Sequence, residues 1–239
     1  VDYAKTQFMP DNLPNNRDLD LQFPDGAGGA FAVPADNLDF DGYSNIQFWQ
    51  MAPTLAWKVN DSLRVGGSLN IDYQAVSFQQ QINADIPKNA TQSSTLMNFD
   101  LSRTAMAYGF GVTLGALYDI NDMVRVGFSY RSPQTFTDLE YQLREGDISG
   151  FPDGEGGQVV SKGGTYKLGL DYPQQASLGV KVSPTDRLDI SADVKWINWS
   201  ETMDKLSIKG DFKQLVDATT SPYTYQDTNK NAALDPGWD

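Results

Sequence analysis

The chain has 239 residues, with 18 Lys and Arg against 31 Asp and Glu, a net charge of −13, and neither Cys nor His. That balance argues against nucleic-acid binding, because phosphates would be repelled. It also excludes disulfides, thiolate metal sites, Cys nucleophiles and imidazole bases, so the chain reads as a non-enzyme with no catalytic residue and no cofactor.

Residues 1–45 are rich in Asp, Asn, Pro and Gly and read as an irregular, extracellular-loop-like segment, with Phe8, Phe23, Phe31 and Phe40 as isolated anchors. The opening Val1-Asp2-Tyr3 is not a signal peptide, so the sequence reads as a mature form or a fragment. From Ile46 a period of two begins, which means strand, since successive side chains leave opposite faces. Met51, Pro53, Leu55, Trp57 and Val59 share one face, and Asn60-Asp61-Ser62 turns the chain. Leu63, Val65, Gly67, Leu69, Ile71, Tyr73 and Ala75 then face one way, and Arg64, Gly66, Ser68, Asn70, Asp72 and Gln74 the other. The apolar parity slips at Val76-Ser77-Phe78, which predicts a bulge. Residues 79–103 read as a long connection.

The stretch Thr104–Ser132 is the clearest hairpin. Met106, Tyr108, Phe110, Val112, Leu114, Ala116, Tyr118 and Ile120 alternate with small residues at Ala105, Ala107, Gly109, Gly111, Thr113 and Gly115. After Asn121-Asp122, Val124, Val126, Phe128 and Tyr130 alternate with Arg125, Gly127, Ser129 and Arg131. Residues 138–163, containing EGDISGFPDGEGG, read as a flexible loop. Tyr166, Leu168, Leu170 and Tyr172 are expected to begin another outward face, interrupted by Pro173 and continued by Ala176, Leu178, Val180 and Val182. A turn at Ser183–Asp186 leads to a strand of Leu188, Ile190, Ala192, Val194 and Trp196, and residues 213–239 read as a loop-like tail leading to a strand beyond the sequence.

Tight turns thus alternate with long connections. Long strands with one apolar face and one polar or tiny face suit a wall between lipid and water. The expected fold is all-β, an antiparallel up-and-down transmembrane β-barrel with tight periplasmic turns and long extracellular loops, its strands spanning residues 46–212. No apolar run reaches the length of a transmembrane helix, which leaves a barrel open because only every second residue of its strands is apolar. The competing reading is a soluble β-sandwich. About six strands are too few to close a spanning barrel, since an open sheet leaves unpaired edges in lipid. The chain is therefore read as the middle of a longer protein, the alternative being several copies that pool their strands.

The runs APTLAWKVNDSLRVGGSLNIDYQ, YGFGVTLGALYDINDMVRVGFSYRS and YPQQASLGVKVSPTDRLDISADVKWINWS, in this order, resemble strand pairs of the FadL-type outer-membrane transporters. The resemblance covers most of residues 46–212 and implies the central strands of a fourteen-stranded barrel in the bacterial outer membrane, monomeric when complete. It implies passive transport of hydrophobic compounds, either long-chain fatty acids or aromatic and aliphatic hydrocarbons. Expected partners are outer-membrane lipid, lipopolysaccharide and a hydrophobic small molecule or detergent. A barrel with a structural, adhesive or complex-forming role through acidic loops is the alternative.

Ligand contacts are expected on the long loops at Ile82, Ile86, Leu96, Met97, Phe99, Leu101 and Phe151, with packing of the loops onto the rim as the competing role. Arg64, Arg125, Arg131 and Lys167 are expected to point inward with Asp72, Asp171, Asp189 and Asp193. Arg131 is the candidate for carboxylate capture, and a ladder of wall-bracing ion pairs is the favoured alternative. Ala75–Gln81 has no basic residue, where fatty acid transporters of the resembled family place them, and this tilts the substrate toward a neutral compound. Asp227, Asn229, Asn231 and Asp235 have calcium-loop-like spacing at their start but lack the Gly and Glu of such loops, so no metal is assigned.

Overall fold

The structure is a computed structural model that describes residues 2–7, 20–24, 30–34, 38–84, 95–153, 155, 157–185, 187–203, 206–217 and 224–234. Its strands are β1 (Asp2–Gln7), β2 (Asp20–Pro24), β3 (Ala30–Pro34), β4 (Leu38–Met51), β5 (Thr54–Lys58), β6 (Leu63–Ala84), β7 (Thr95–Asp119), β8 (Val124–Arg131), β9 (Thr135–Phe136) and β10 (Leu139–Glu145). They continue with β11 (Ile148–Ser149), β12 (Phe151–Pro152), β13 (Gln158–Leu168), β14 (Gln175–Thr185) and β15 (Leu188–Ile197). A short helix, α1 (Trp199–Met203), precedes β16 (Leu206–Lys209), β17 (Phe212–Asp217), β18 (Thr224–Thr228) and β19 (Ala232–Leu234). Among the described residues no helix is long and apolar enough to cross a membrane.

The wall is an antiparallel sheet in the order β1-β4-β6-β7-β8-β14-β15, with β5 continuing β4 beside β6. It curls as part of a barrel. The tight turns form by a shared device. Asn60 Oδ1 accepts from the backbone N–H of Ser62 and Leu63 at 2.9 and 2.8 Å, and Asn121 Oδ1 accepts from Met123 and Val124 at 2.9 and 2.8 Å. A side chain that satisfies two turn N–H groups reverses the chain in few residues. These turns and the one between β14 and β15 lie at one end of the meander, and the long connections lie at the other.

One face of the wall is apolar and open. Leu55 is 85% exposed, Trp57 74%, Phe110 67% and Val194 74%, whereas Ala107 on the opposite face is fully buried. The register Leu69↔Val112 and Phe128↔Leu178 sets these outward residues side by side across strands. A band of large exposed apolar side chains would cost about 25 cal/mol per Å² in water, so it marks the surface that hydrocarbon covers. Among the described residues no second sheet packs on this face, which removes the sandwich reading.

The paired strands β6 and β7 have 22 and 25 residues. A tilted strand needs only about 9–11 to cross a bilayer, so their upper halves stand clear of it. Residues 79–84 and 95–103, expected in a loop, continue these strands. The predicted bulge is present, with Val76 opposite Ala105 but Phe78 opposite Leu101.

Most described residues of 138–163 and of 213–239, expected as loops, are also strands, and so are the described residues of 1–45, expected as an irregular loop: β1 to β3 and the start of β4. A second sheet runs β18-β17-β13-β16-β19, with β10 and β12 paired to β13. Its apolar side chains, among them Leu139, Tyr141, Val159, Tyr166, Leu168, Ile208 and Phe212, are buried in one cluster with Val76, Phe99, Leu101, Ala105, Ala107 and Ile148 of the wall. The Tyr141 hydroxyl donates to Val76 O at 3.2 Å. Tyr166 and Leu168 therefore do not face lipid as expected. Alternation marks a half-buried strand without saying whether lipid or another protein layer covers it. The small inward residues of β7 make room for this layer.

The second sheet is braced by Asp153, whose side chain is buried. Burial pushes its carboxyl up, but Lys230 Nζ at 2.9 Å and the N–H groups of Glu155 and Gly157, each at 2.8 Å, outweigh burial and hold it below its ordinary value of 3.8. A depressed carboxyl stabilises the fold fully above its unfolded pKa, and that contribution is lost as pH falls through the lower, folded value. Asp153→Asn is expected to cost about 1–3 kcal/mol at neutral pH and to flatten the decline below about pH 4. Pulse proteolysis of the second sheet across that range checks it; an unchanged acid slope would contradict the assignment.

Candidate functional site

The inward face of the wall is lined by small residues along its lower half. Thr54, Ala56, Gly66, Ser68, Thr113, Gly115, Gly127, Ser129, Ser177 and Gly179 border a cavity of about 620 Å³ with a nearly wholly apolar surface. Alternate residues of neighbouring strands share a face, so the register Ser68↔Thr113, Gly115↔Ser129 and Ser129↔Ser177 stacks them in one concave patch. Small side chains at these positions leave space that larger ones would fill.

Arg64 and Asp193 are the charged residues that line this cavity, and Arg64 and the charges toward the turns are held in ion pairs. Arg64 Nη1 lies 2.8 Å from Asp119 Oδ2, Arg125 Nε contacts Asp119 Oδ1, and Lys181 Nζ lies 2.7 Å from Asp189 Oδ2. This is the ladder expected as the alternative to anion capture. Lys167, expected inward, lies instead on the second sheet, 3.1 Å from Glu140.

Above the cavity the wall is pinched by a strap. β8 ends at Arg131, and Pro133 removes a backbone donor from the ladder. The chain rejoins β7 with Phe136 opposite Gly109, and Gln134 forms a two-way backbone bridge to Tyr172 at 2.9 and 3.1 Å. Gly109 is required because a Cβ there would sit 2.8 Å from the Phe136 ring, and at Gly111 it would overlap the Gln134 amide. Phe136 N donates to Asp171 Oδ1 at 2.7 Å, and Gln74 Nε2 to Leu170 O at 3.0 Å. Phe48, Phe136 and Tyr172 form an aromatic trio with centroids 5.2–6.2 Å apart. Beneath the strap, Asn70, Asp72, Gln74 and Gln134 are buried polar residues.

The residues expected to touch ligand are divided by the structure. Phe99 stacks on Phe151 at 4.7 Å and meets Phe78 at 5.5 Å; with Leu101 they lie in the core between wall and second sheet. Met97 packs against that core, Ile82 stands opposite Met97 in the ladder and Leu96 is half-buried. Ile86 lies outside the described residues. Arg131 is separate from this group, at the strap, on the same face as Thr113 and Gln175. Asp227 Oδ1 is 2.7 Å from Lys162 Nζ, Asn229 and Asn231 follow at the end of β18, and Asp235 lies outside the described residues. Among the described residues no acidic cluster could hold a metal ion. Of the residues at the strap, Phe48, Gln134 and Phe136 were not singled out from sequence; Gln74 was expected on the inward face, and Tyr172, expected to face outward, packs instead against Phe48 and Phe136; Pro133 and Pro173, one on each arm, are the signal that both strands break at the same height.

The family described as outer membrane protein transport protein (OMPP1/FadL/TodX) matches residues 33–233. Among solved structures, the Ralstonia pickettii toluene transporter TbuX is similar at 15% identity and a TM-score of 0.50, over 86% of this chain and 64% of that one. The CymD monoaromatic hydrocarbon channel is similar at 15% identity and 0.51, over 88% and 62%. The Pseudomonas putida toluene transporter TodX is similar at 16% identity and 0.51, over 88% and 52%. The chain therefore spans less than two thirds of the length of these relatives. No curated protein matches it in sequence.

Proposed function

Since the chain belongs to the OMPP1/FadL/TodX family of outer-membrane transport proteins, we propose that it forms the central wall of a passive channel for neutral hydrophobic compounds. The observation that carries this reading is the apolar cavity of about 620 Å³ on the inner face of a wall whose outer face exposes a band of large apolar side chains. That volume falls in the range of about 300–1,000 Å³ usual for small-molecule sites. Arg64 and Arg125 beside the cavity are engaged by Asp119, and Lys181 by Asp189. A carboxylate ligand would have to displace these partners, whereas a hydrocarbon needs only apolar surface and gains by leaving water. TbuX and TodX are toluene transporters and CymD a monoaromatic hydrocarbon channel, which fits the same substrate class. The complete protein is read as a single monomeric barrel in contact with lipid and lipopolysaccharide, with no catalytic chemistry.

The test is uptake of a labelled monoaromatic hydrocarbon and of a long-chain fatty acid by cells carrying the full-length protein. Ser177→Trp fills the cavity and is expected to lower hydrocarbon uptake about tenfold, the equivalent of roughly 1.4 kcal/mol, while leaving the amount of folded barrel unchanged. Equal uptake by the variant, or uptake of the fatty acid alone, would overturn the proposal.

A further inference from the structure

The two charged residues that line the inner cavity differ in how they are held. Arg64 lies 2.8 Å from Asp119. Asp193 has neither an ion pair nor a hydrogen bond among the described residues. The register Arg64↔Leu117, Leu117↔Gly127, Gly127↔Gly179 and Gly179↔Asp193 sets these residues in one inward row, from β6 across to β15. The two positions between Leu117 and Asp193 are glycines. No side chain of the adjoining strands therefore lies between the carboxylate and the cavity.

The neighbouring cations do not close on Asp193. Lys181 is 2.7 Å from Asp189. Lys195, the next inward residue of β15, makes no ion pair with Asp193. The cavity is thus nearly wholly apolar in surface, with one open carboxylate at its β15 end. A few polar groups in an apolar pocket are what fix the orientation of a small ligand and choose among ligands of one size.

Water satisfies this carboxylate until a ligand fills the cavity and displaces it. A pure hydrocarbon offers no donor in exchange, so the stranded acceptor takes back part of what apolar contact gains. A ring bearing a hydroxyl or amino group keeps that contact and returns a hydrogen bond to a charged acceptor, which is stronger than one between neutral groups. A carboxylate ligand would meet like charge. A cationic ligand would have to shed its own hydration against apolar surface.

We propose that Asp193 is a specificity-determining residue of the cavity. It accepts a hydrogen bond from the hydroxyl or amino group of a neutral monoaromatic ligand whose ring lies over the row of glycines. This rests on the channel function proposed above and narrows its substrate class to compounds that carry one donor.

The test is competition against uptake of labelled toluene by cells carrying the full-length protein, since β15 is the last strand of the described wall. The competitors are p-cresol and 4-methylanisole, which share a ring and a methyl group and of which only p-cresol offers a donor. p-Cresol is expected to compete at about tenfold lower concentration. Asp193→Ala is expected to bring the two competitors to equal strength. Asp193→Asn, which keeps an acceptor without its charge, should leave an intermediate ratio. Gly179→Val keeps the carboxylate and lays a side chain beside it, starting from a Cβ at an ordinary 3.6 Å from Asp193 Cβ, and should also lower the ratio. Equal competition in the unaltered protein, or an unchanged ratio in Asp193→Ala, would overturn the inference and leave the channel function standing. Toluene uptake no faster than in cells lacking the protein would overturn both. Should Asp193→Ala fail to fold, Gly179→Val decides, and an undiminished ratio in it overturns the inference.

Discussion

Replacing Leu114 by Arg is expected to cost the assembled barrel about 2–4 kcal/mol, the penalty for a cationic side chain facing the middle of the bilayer. Leu114 is 55% exposed in the middle of the outward row that runs from Met106 to Ile120. Its outward neighbour across the ladder is Tyr130, and the adjoining pair is Gly115 with Ser129. Ser129 is one residue away but faces the lumen. Ser129→Arg is therefore expected to change stability by no more than about 0.5 kcal/mol, as exposed substitutions usually do. Urea unfolding of the full-length protein in lipid vesicles measures both. Equal costs at the two positions would mean that the two faces of this wall do not meet different solvents, and the membrane assignment would fail with them.

The second large effect lies outside the membrane. Tyr141→Ala is expected to cost about 3–5 kcal/mol, as removal of a buried aromatic usually does. Tyr141 is only 1% exposed and sits between the second sheet and the upper wall. Burial also pushes its phenol up to about 12, so it stays a neutral donor to Val76 O throughout the ordinary pH range. Tyr141→Phe removes only that hydrogen bond and should cost about 1 kcal/mol. Hydrogen exchange resolves where the loss falls. The second sheet should open in Tyr141→Ala while Leu63–Ala75 and Met106–Asp119 remain protected, because the lower wall is held by its own ladder and by lipid. Simultaneous loss of protection in both would show that sheet and wall unfold as one unit.

The lower wall was legible in the sequence to within a few residues. Asn60 and Asn121 announce tight turns because a side-chain acceptor two or three residues before the next strand can do little else there. The parity slip at Val76–Phe78 announced its bulge for an equally local reason. The candidate site was less legible. Phe99, Leu101 and Phe151 looked like an exposed apolar landing surface because they fall among polar loop residues. They are core because β10 and β13 fold back over them, a contact between segments about 40–60 residues apart that no local pattern encodes. The same long-range folding carries Tyr166 and Leu168 away from lipid.

Alternation, turn chemistry and the sorting of short and long connections were sufficient, by themselves, to determine an antiparallel wall with one face for hydrocarbon; its kinship was legible separately, in the resemblance of three ordered residue runs. A period of two is a property of each strand alone, set by the geometry of the extended backbone. What covers each face is a property of the assembled chain. Only the tertiary structure decided that the small residues Ala105 and Ala107 receive a second sheet, that Gly109 and Gly111 receive Phe136 and Gln134, and that Asp72 is buried beneath a strap instead of lining open water. Those outcomes depend on distant segments meeting at matched heights, and burial is fixed by that meeting and not by any residue's own preference.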